Sequence, residues 1–311
     1  MNAIELSCLS KTYPGGNRAV DSVSLTLSPG EVFGFLGPNG AGKTTTVKLL
    51  TGMLTPTGGS CKVFGLSPTA SPEKVHALSG VITEHAQMYD HLTGLQNLQF
   101  YGAVYGLTDA QCKARSQALL EQLELTDAAH RKLSEYSTGM RQRLSLARVL
   151  LHEPKVLFLD EPTSGLDPES AQNVHTMIRS LAGEKGITVF LCTHQLRYAQ
   201  EICTRYGLMD RGRLLATGTL EQLREQVCPG VRVKILAENI PEGLPGRAAD
   251  GNSLEASIQS QREIPGLVRK IVEAGGDVTH VSAELPSLED IYFTLNAREK
   301  KAEGSESRNE T

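Results

Sequence analysis

Residues 31–50 read EVFGFLGPNGAGKTTTVKLL, and three kinds of local structure are written into them in order. The apolar run from Val32 to Leu36 has the length and composition of a buried strand. Gly37 to Thr44 then fits G-x-x-x-x-G-K-[ST], a loop whose backbone N–H groups wrap phosphates while the lysine reaches outer phosphate oxygens and the threonine hydroxyl meets Mg²⁺. The segment KTTTVKLLT over 43–51 is a helix, stopped by Gly52 and the TPTGGS turn. Strand, glycine loop and helix in that order is the context the motif requires. It nominates Gly37, Pro38, Asn39, Gly40, Ala41, Gly42, Lys43, Thr44 and Thr45 as a phosphate cradle.

The second half of the chain supplies acids to match. VLFLDEP over 156–162 is an apolar strand ending in Asp160, suited to hold Mg²⁺ through water, and Glu161, suited to orient or deprotonate an attacking water. His194 follows another apolar run, ITVFLCT. A parallel neighbour strand would aim it at the same crevice, where ligands of such sheets bind. Tyr13, in KTYPGGN, has two readings: its ring stacks on a base, or it packs on the core. Glu84, in VITEHAQMYDHLT, leaves a strand edge beside the crevice, and a solvated role and a nucleotide-facing role stand equally.

A second anion site begins at Ser137 and Gly139, which open an amphipathic helix whose apolar face is Met140, Leu144, Ala147 and Leu151. With a complete phosphate loop already present upstream, this half-built site needs a separate purpose.

Around these motifs the chain reads as α/β. Short strands fill residues 3–36. TGLQ at 93–96 and TDAQ at 108–111 fit helix capping boxes inside a helical insert over about 85–153. Strands and helices alternate again from Lys155, which argues for a mostly parallel sheet covered on both faces. One domain is expected over 1–226 and a small α/β appendage over 227–297, with strands VRVKIL and DVTHVSA and helices around PGLVRKIVEAG and PSLEDIYFTLN. Residues 298–311, charged and almost without apolar side chains, read as a disordered, solvated tail.

Composition narrows the function further. The chain of 311 residues is 40% hydrophobic and 21% charged, and 31 basic against 35 acidic residues leave a net charge of −4. That offers no broad positive surface, so nucleic acid is not favoured as a partner. The six cysteines include no C-x-x-C pair, which points to free thiols in a reducing cytoplasm. No stretch approaches the roughly 18 apolar residues of a spanning helix, and no secretory leader is visible.

Across roughly residues 3–226 these motifs resemble the ATP-binding cassette (ABC) ATPases, a P-loop NTPase family with N-terminal antiparallel strands and a helical subdomain. GPNGAGKTT resembles its Walker A, VLFLDE its Walker B, SGLDP its D-loop with Asp167, and His194 its switch histidine. Tyr13 is similar to its A-loop aromatic, and YSTGM stands at its signature, usually leucine-serine-glycine-glycine-glutamine, with Thr138 and Met140 in place of glycine and glutamine. Glu84 stands at the Q-loop position, normally glutamine, with Gln87 as a substitute candidate.

The resemblance implies an ATPase using ATP and Mg²⁺. Lys43, Glu161 and His194 would carry the chemistry, and Thr44, Asp160 and Glu84 would face the cation. It implies a head-to-tail dimer in which Ser137 and Gly139 of one copy close over the terminal phosphate held by the other, which accounts for the second anion site. The signature, the TEHAQMYDHLTGLQNL stretch and PSLEDIYFTL also resemble ATPase subunits of bacterial exporters of drugs, lipids or other small molecules. In these the permease is a separate membrane chain, implying a cytoplasmic subunit, peripheral on the cell membrane through its permease. The competing expectation is a soluble ABC ATPase acting on ribosomes or DNA. Such relatives tend to show paired cassettes, zinc cysteines or a long coiled-coil insert, none of which is visible.

Overall fold

The structure is a computed structural model describing residues 1–83, 88–227, 231–240, 247–248, 253–258 and 261–309; Glu84, Gln87 and Cys228 therefore lie outside the described residues. The chain folds into two compact units, Met1–Thr217 and Gly218–Thr311.

In the first unit the apolar runs become the middle of a sheet. A six-stranded sheet has the order β5-β6-β7-β3-β8-β9. Its strands are β3 (Val32–Leu36), β5 (Ser79–Ile82), β6 (Val156–Asp160), β7 (Thr188–Thr193), β8 (Arg205–Asp210) and β9 (Arg213–Gly218). β5, β6, β7, β3 and β8 pair in parallel. Every residue of β3, β6 and β7 is buried, the pattern of strands covered on both faces. Phe33, Phe35 and Phe190 cluster at ring-centroid separations of 5.1–6.4 Å, and burying each contributes roughly 1.5–3 kcal/mol. The helices around this sheet include α1 (Lys43–Leu50), α2 (Pro72–Leu78), α6 (Pro168–Lys185) and α7 (Leu196–Ile202).

β1 (Ile4–Thr12), β2 (Arg18–Leu27) and β4 (Gly58–Val63) form a separate antiparallel sheet of order β2-β1-β4. Its inward residues Ile4, Leu6, Val20, Leu25 and Val63 join one core with Phe35, Val47 and Phe158 of the parallel layer. The insert holds α3 (Gly94–Val104), α4 (Asp109–Gln122) and α5 (Thr138–Leu150), with no named strand among its described residues. Both expected capping boxes form, Thr93 with Gln96 and Thr108 with Gln111.

The second unit contains α8 (Leu220–Val227), β10 (Val231–Glu238), β11 (Arg247–Ala248), β12 (Ser253–Ile258), α9 (Ile264–Glu273), β13 (Asp277–Glu284) and α10 (Leu288–Asn309). Its antiparallel sheet has the order β11-β12-β10-β13, and Val233, Ile235, Leu254, Leu267 and Ile271 fill its core. The sequence reading draws the division after 226; in the fold it falls after Thr217, because α8 groups with the second unit. The strands β11 and β12 escape that reading, β11 because two residues carry no pattern, β12 although Leu254, Ala256 and Ile258 alternate with polar residues and are buried. The stretch read as a tail differs too: α10 stays helical to Asn309, consistent with the Ala, Glu, Lys and Arg that favour helix without needing a buried face.

Candidate functional site

The glycines of the loop are demanded by close approach. A Cβ on Gly37 would lie 2.3 Å from the Met209 carbonyl oxygen, and one on Gly42, at φ +104°, would lie 2.2 Å from that of Ala19. Gly42 precedes the first residue of α1 and places no side chain over the free N–H groups of the first turn, which leaves them for an anion. Lys43, only 6% exposed, donates from Nζ to the carbonyls of Gly37 at 2.6 Å and Pro38 at 3.1 Å. Its Nζ also stands 3.9 Å from Glu161 Oε1. Thr44 Oγ1 donates to Asp160 Oδ2 at 2.7 Å, joining residues 116 positions apart.

An open cleft of about 260 Å³ lies over these groups, lined by Tyr13, Asn39, Gly40, Gly42, Lys43, Thr44, Thr45, Asp160 and Glu161. Asn17 and Ala19 also line it, and the sequence reading named neither. Tyr13 stands at the cleft with its hydroxyl 3.4 Å from Thr45 Oγ1 and Lys11 Nζ 5.9 Å from its ring centre. Ala41 is buried behind the loop, its carbonyl accepting from Gly212 N.

Parallel pairing of β6 with β7 sets Asp160 opposite Cys192, so the next residue on each strand meets at the sheet's carboxyl end. Glu161 adopts φ +50°, unusual for a side chain with a Cβ, while its N–H donates to Cys192 O at 2.9 Å. Its Oε1 accepts from the His194 backbone N–H at 2.9 Å and contacts His194 Nδ1 at 2.8 Å; its Oε2 accepts from Thr193 Oγ1 at 2.8 Å. The Glu161 side chain is 10% exposed and that of His194 46%, so the carboxylate is enclosed and the imidazole open to solvent. Burial first, and the Asp160 carboxylate second, push the Cys192 thiol well above its ordinary range, keeping it neutral beneath these charges.

Ser137, Gly139 and Asp167 assemble elsewhere in the unit. Ser137 caps α5, its Oγ accepting from Met140 N at 3.3 Å. Asp167 caps α6, accepting from Ser170 N at 2.9 Å and Ser170 Oγ at 2.7 Å, and these bonds hold its carboxyl below the usual range. Gly139 packs so closely on Ser170 that a Cβ would fall 2.6 Å from its Oγ. Gly139 and Asp167 thus meet at Ser170, two residues from the Ser137 cap, and none of the three lines the Lys43 cleft. Thr193 and Ser170 escaped the sequence reading. The signal for Thr193 was its place at a strand end immediately before His194.

The family profile described as "ABC transporter" matches residues 20–164. The daunorubicin resistance ATP-binding protein DrrA3 of Streptomyces coeruleorubidus is 35% identical over 310 residues, covering 96% of this chain and 97% of that protein. The Nod factor export ATP-binding protein I of Rhizobium etli is 33% identical, covering 96% and 95%. A solved ATP-binding subunit of an ABC transporter superposes with a TM-score of 0.66 at 29% identity, over 72% of this chain and 92% of its own. The chain belongs to the ABC transporter ATP-binding proteins, subunits that bind and hydrolyse ATP.

Proposed function

We propose that the Lys43 cleft is the ATP site and that the chain works as the motor of an exporter whose membrane pathway is a separate permease. The observation that carries the chemical assignment is the convergence of Lys43, Thr44, Asp160 and Glu161 on one cleft. The backbone of the loop and Lys43 bind the phosphates. The Thr44 hydroxyl and Asp160 carboxylate, 2.7 Å apart, are hard oxygen donors of the kind that hold Mg²⁺ together with phosphate oxygens. When bound, Mg²⁺ would supply positive charge to offset the charge on the phosphates.

Glu161 receives the proton of the attacking water, Tyr13 stacks on the adenine, and the exposed imidazole of His194 contacts the terminal phosphate. Ser137, Gly139 and Asp167 serve a second copy's nucleotide, a reading supported by their placement away from their own chain's cleft. Shifting such a dimer from mostly open to mostly closed takes about 5.5 kcal/mol. Charge-assisted hydrogen bonds of roughly 1.5–3 kcal/mol each supply this with a few contacts per nucleotide.

Among the described residues no helix is long and apolar enough to span a membrane. The two relatives are each named as an ATP-binding protein, one of drug resistance and one of export, which supports a separate permease and outward transport of a drug, lipid or other small molecule. Glu161→Gln tests the chemistry: ATP turnover falls about a hundredfold or more while ATP binding is retained. Retained turnover would falsify the assignment. Copurification from detergent-solubilised membranes tests the partner, and recovery of ribosomes or DNA without a polytopic chain would overturn it.

A further inference from the structure

We propose that Thr193 is the positioning residue that aims Glu161 at the attacking water, an inference that rests on Glu161 being the proton acceptor. The hydroxyl of Thr193 is fixed at both ends. Its oxygen accepts from the Gln195 backbone N–H at 3.0 Å, so its single proton is left to donate to Glu161 Oε2 at 2.8 Å. Among the described residues this is the bond made to Oε2, whereas Oε1 is met by both the backbone and ring nitrogens of His194.

The two anchors differ in permanence. His194 is 46% exposed on its side chain, and its ring must leave Oε1 to reach a phosphate, which leaves Oε1 with the His194 backbone N–H at 2.9 Å and Lys43 Nζ at 3.9 Å. Thr193 is 4% exposed and ends β7, in parallel register with Leu36 of β3, so its Cβ is set by the sheet. A β-branched side chain in such a place has little freedom about χ1, so the hydroxyl keeps its direction. Glu161 has need of such a tether, because its backbone sits at φ +50° and its side chain leaves the strand line. Through a swing of the His194 ring, the Thr193 bond holds Oε2 while the His194 backbone N–H holds Oε1, so the carboxylate keeps its orientation.

The test compares Thr193→Val, Thr193→Ser and Glu161→Gln in the full chain with its transport partner. Thr193→Val lowers kcat about ten- to a hundredfold with the KM for ATP nearly unchanged, the size of one lost charge-assisted bond. Thr193→Ser restores kcat. If Glu161→Gln is inactive while Thr193→Val turns over normally, the tether is refuted and the proton acceptor stands. A loss in Thr193→Val that serine does not rescue, or one that raises the KM for ATP as much as it lowers kcat, also refutes it. If Glu161→Gln itself turns over normally, it is the underlying assignment that fails.

Discussion

Gly40 and Gly42 both have positive φ, +83° and +104°, but their surroundings differ. Around Gly40 nothing lies within 4 Å of an added Cβ, whereas at Gly42 that atom would collide with the Ala19 carbonyl at 2.2 Å. Gly40→Ala is therefore expected to cost only the left-handed backbone penalty, about 1–2 kcal/mol, with ATP binding retained. Gly42→Ala must also displace the strand carrying Ala19, and is expected to lose more stability and to abolish ATP binding. Urea melts combined with nucleotide titration separate the two outcomes; equal effects would show that the loop moves freely against β2. The same logic locates strain at Glu161, whose positive φ survives because β6, β7 and three contacts to its carboxylate hold it.

Caps and helix packing set the behaviour of whole elements. Ser137 and Thr108 both cap helices through a side-chain oxygen, and replacing either by alanine removes about 1 kcal/mol of stability. Only Ser137→Ala is expected to weaken ATP-driven dimerisation and turnover as well; Thr108→Ala, on α4, leaves turnover within about twofold. Light scattering with ATP, run beside a turnover assay, reads both.

Acid sensitivity belongs to α6 and α7. His175 on α6 is 2% exposed, and both ring nitrogens lack a hydrogen-bond partner, with Nδ1 4.0 Å from Glu201 of α7 and the Tyr198 ring beside it. Burial depresses its pKa below the ordinary 6.5, with Glu201 opposing and Arg179 reinforcing. Below 6.5 the unfolded chain then binds a proton that the folded chain resists, so stability falls as pH drops through that value. His152, half-buried with Nε2 against the carbonyl of Ser79, shifts the same way. Denaturation midpoints at pH 8 and pH 5.5 should separate more in the wild type than in His175→Phe; an equal separation assigns the acid loss to other groups.

At the scale of the molecule, all residues lining the Lys43 cleft fall within Met1–Thr217. The second unit has its own sheet and its own core. A chain ending at Thr217 is therefore expected to fold and to bind ATP within a few-fold of the full chain. Loss of its cooperative unfolding or of nucleotide binding would show that residues 218–311 complete the first unit's core.

The phosphate loop, the acid pair and the helix caps were legible in the sequence because each is a local spacing: Gly42 beside Lys43, Asp160 beside Glu161, Thr93 three residues before Gln96. The buried strands were legible for a similar reason, since a short apolar run bounded by turns leaves few alternatives. The domain division falls after Thr217 instead of after 226, β11 is too short to carry a pattern, and β12 carries one, Leu254, Ala256 and Ile258 alternating with polar residues, that the sequence reading passed over. Residue identity alone determined that this chain carries the motifs of an ABC ATP-binding subunit, and it named the side chains expected to face a nucleotide. Only the tertiary structure decided that Thr44 meets Asp160, that Thr193 meets Glu161, and that Ser137 and Gly139 stand away from their own cleft. These are meetings of strand ends and helix starts far apart in the chain, and the order and parallel register of the sheet create them.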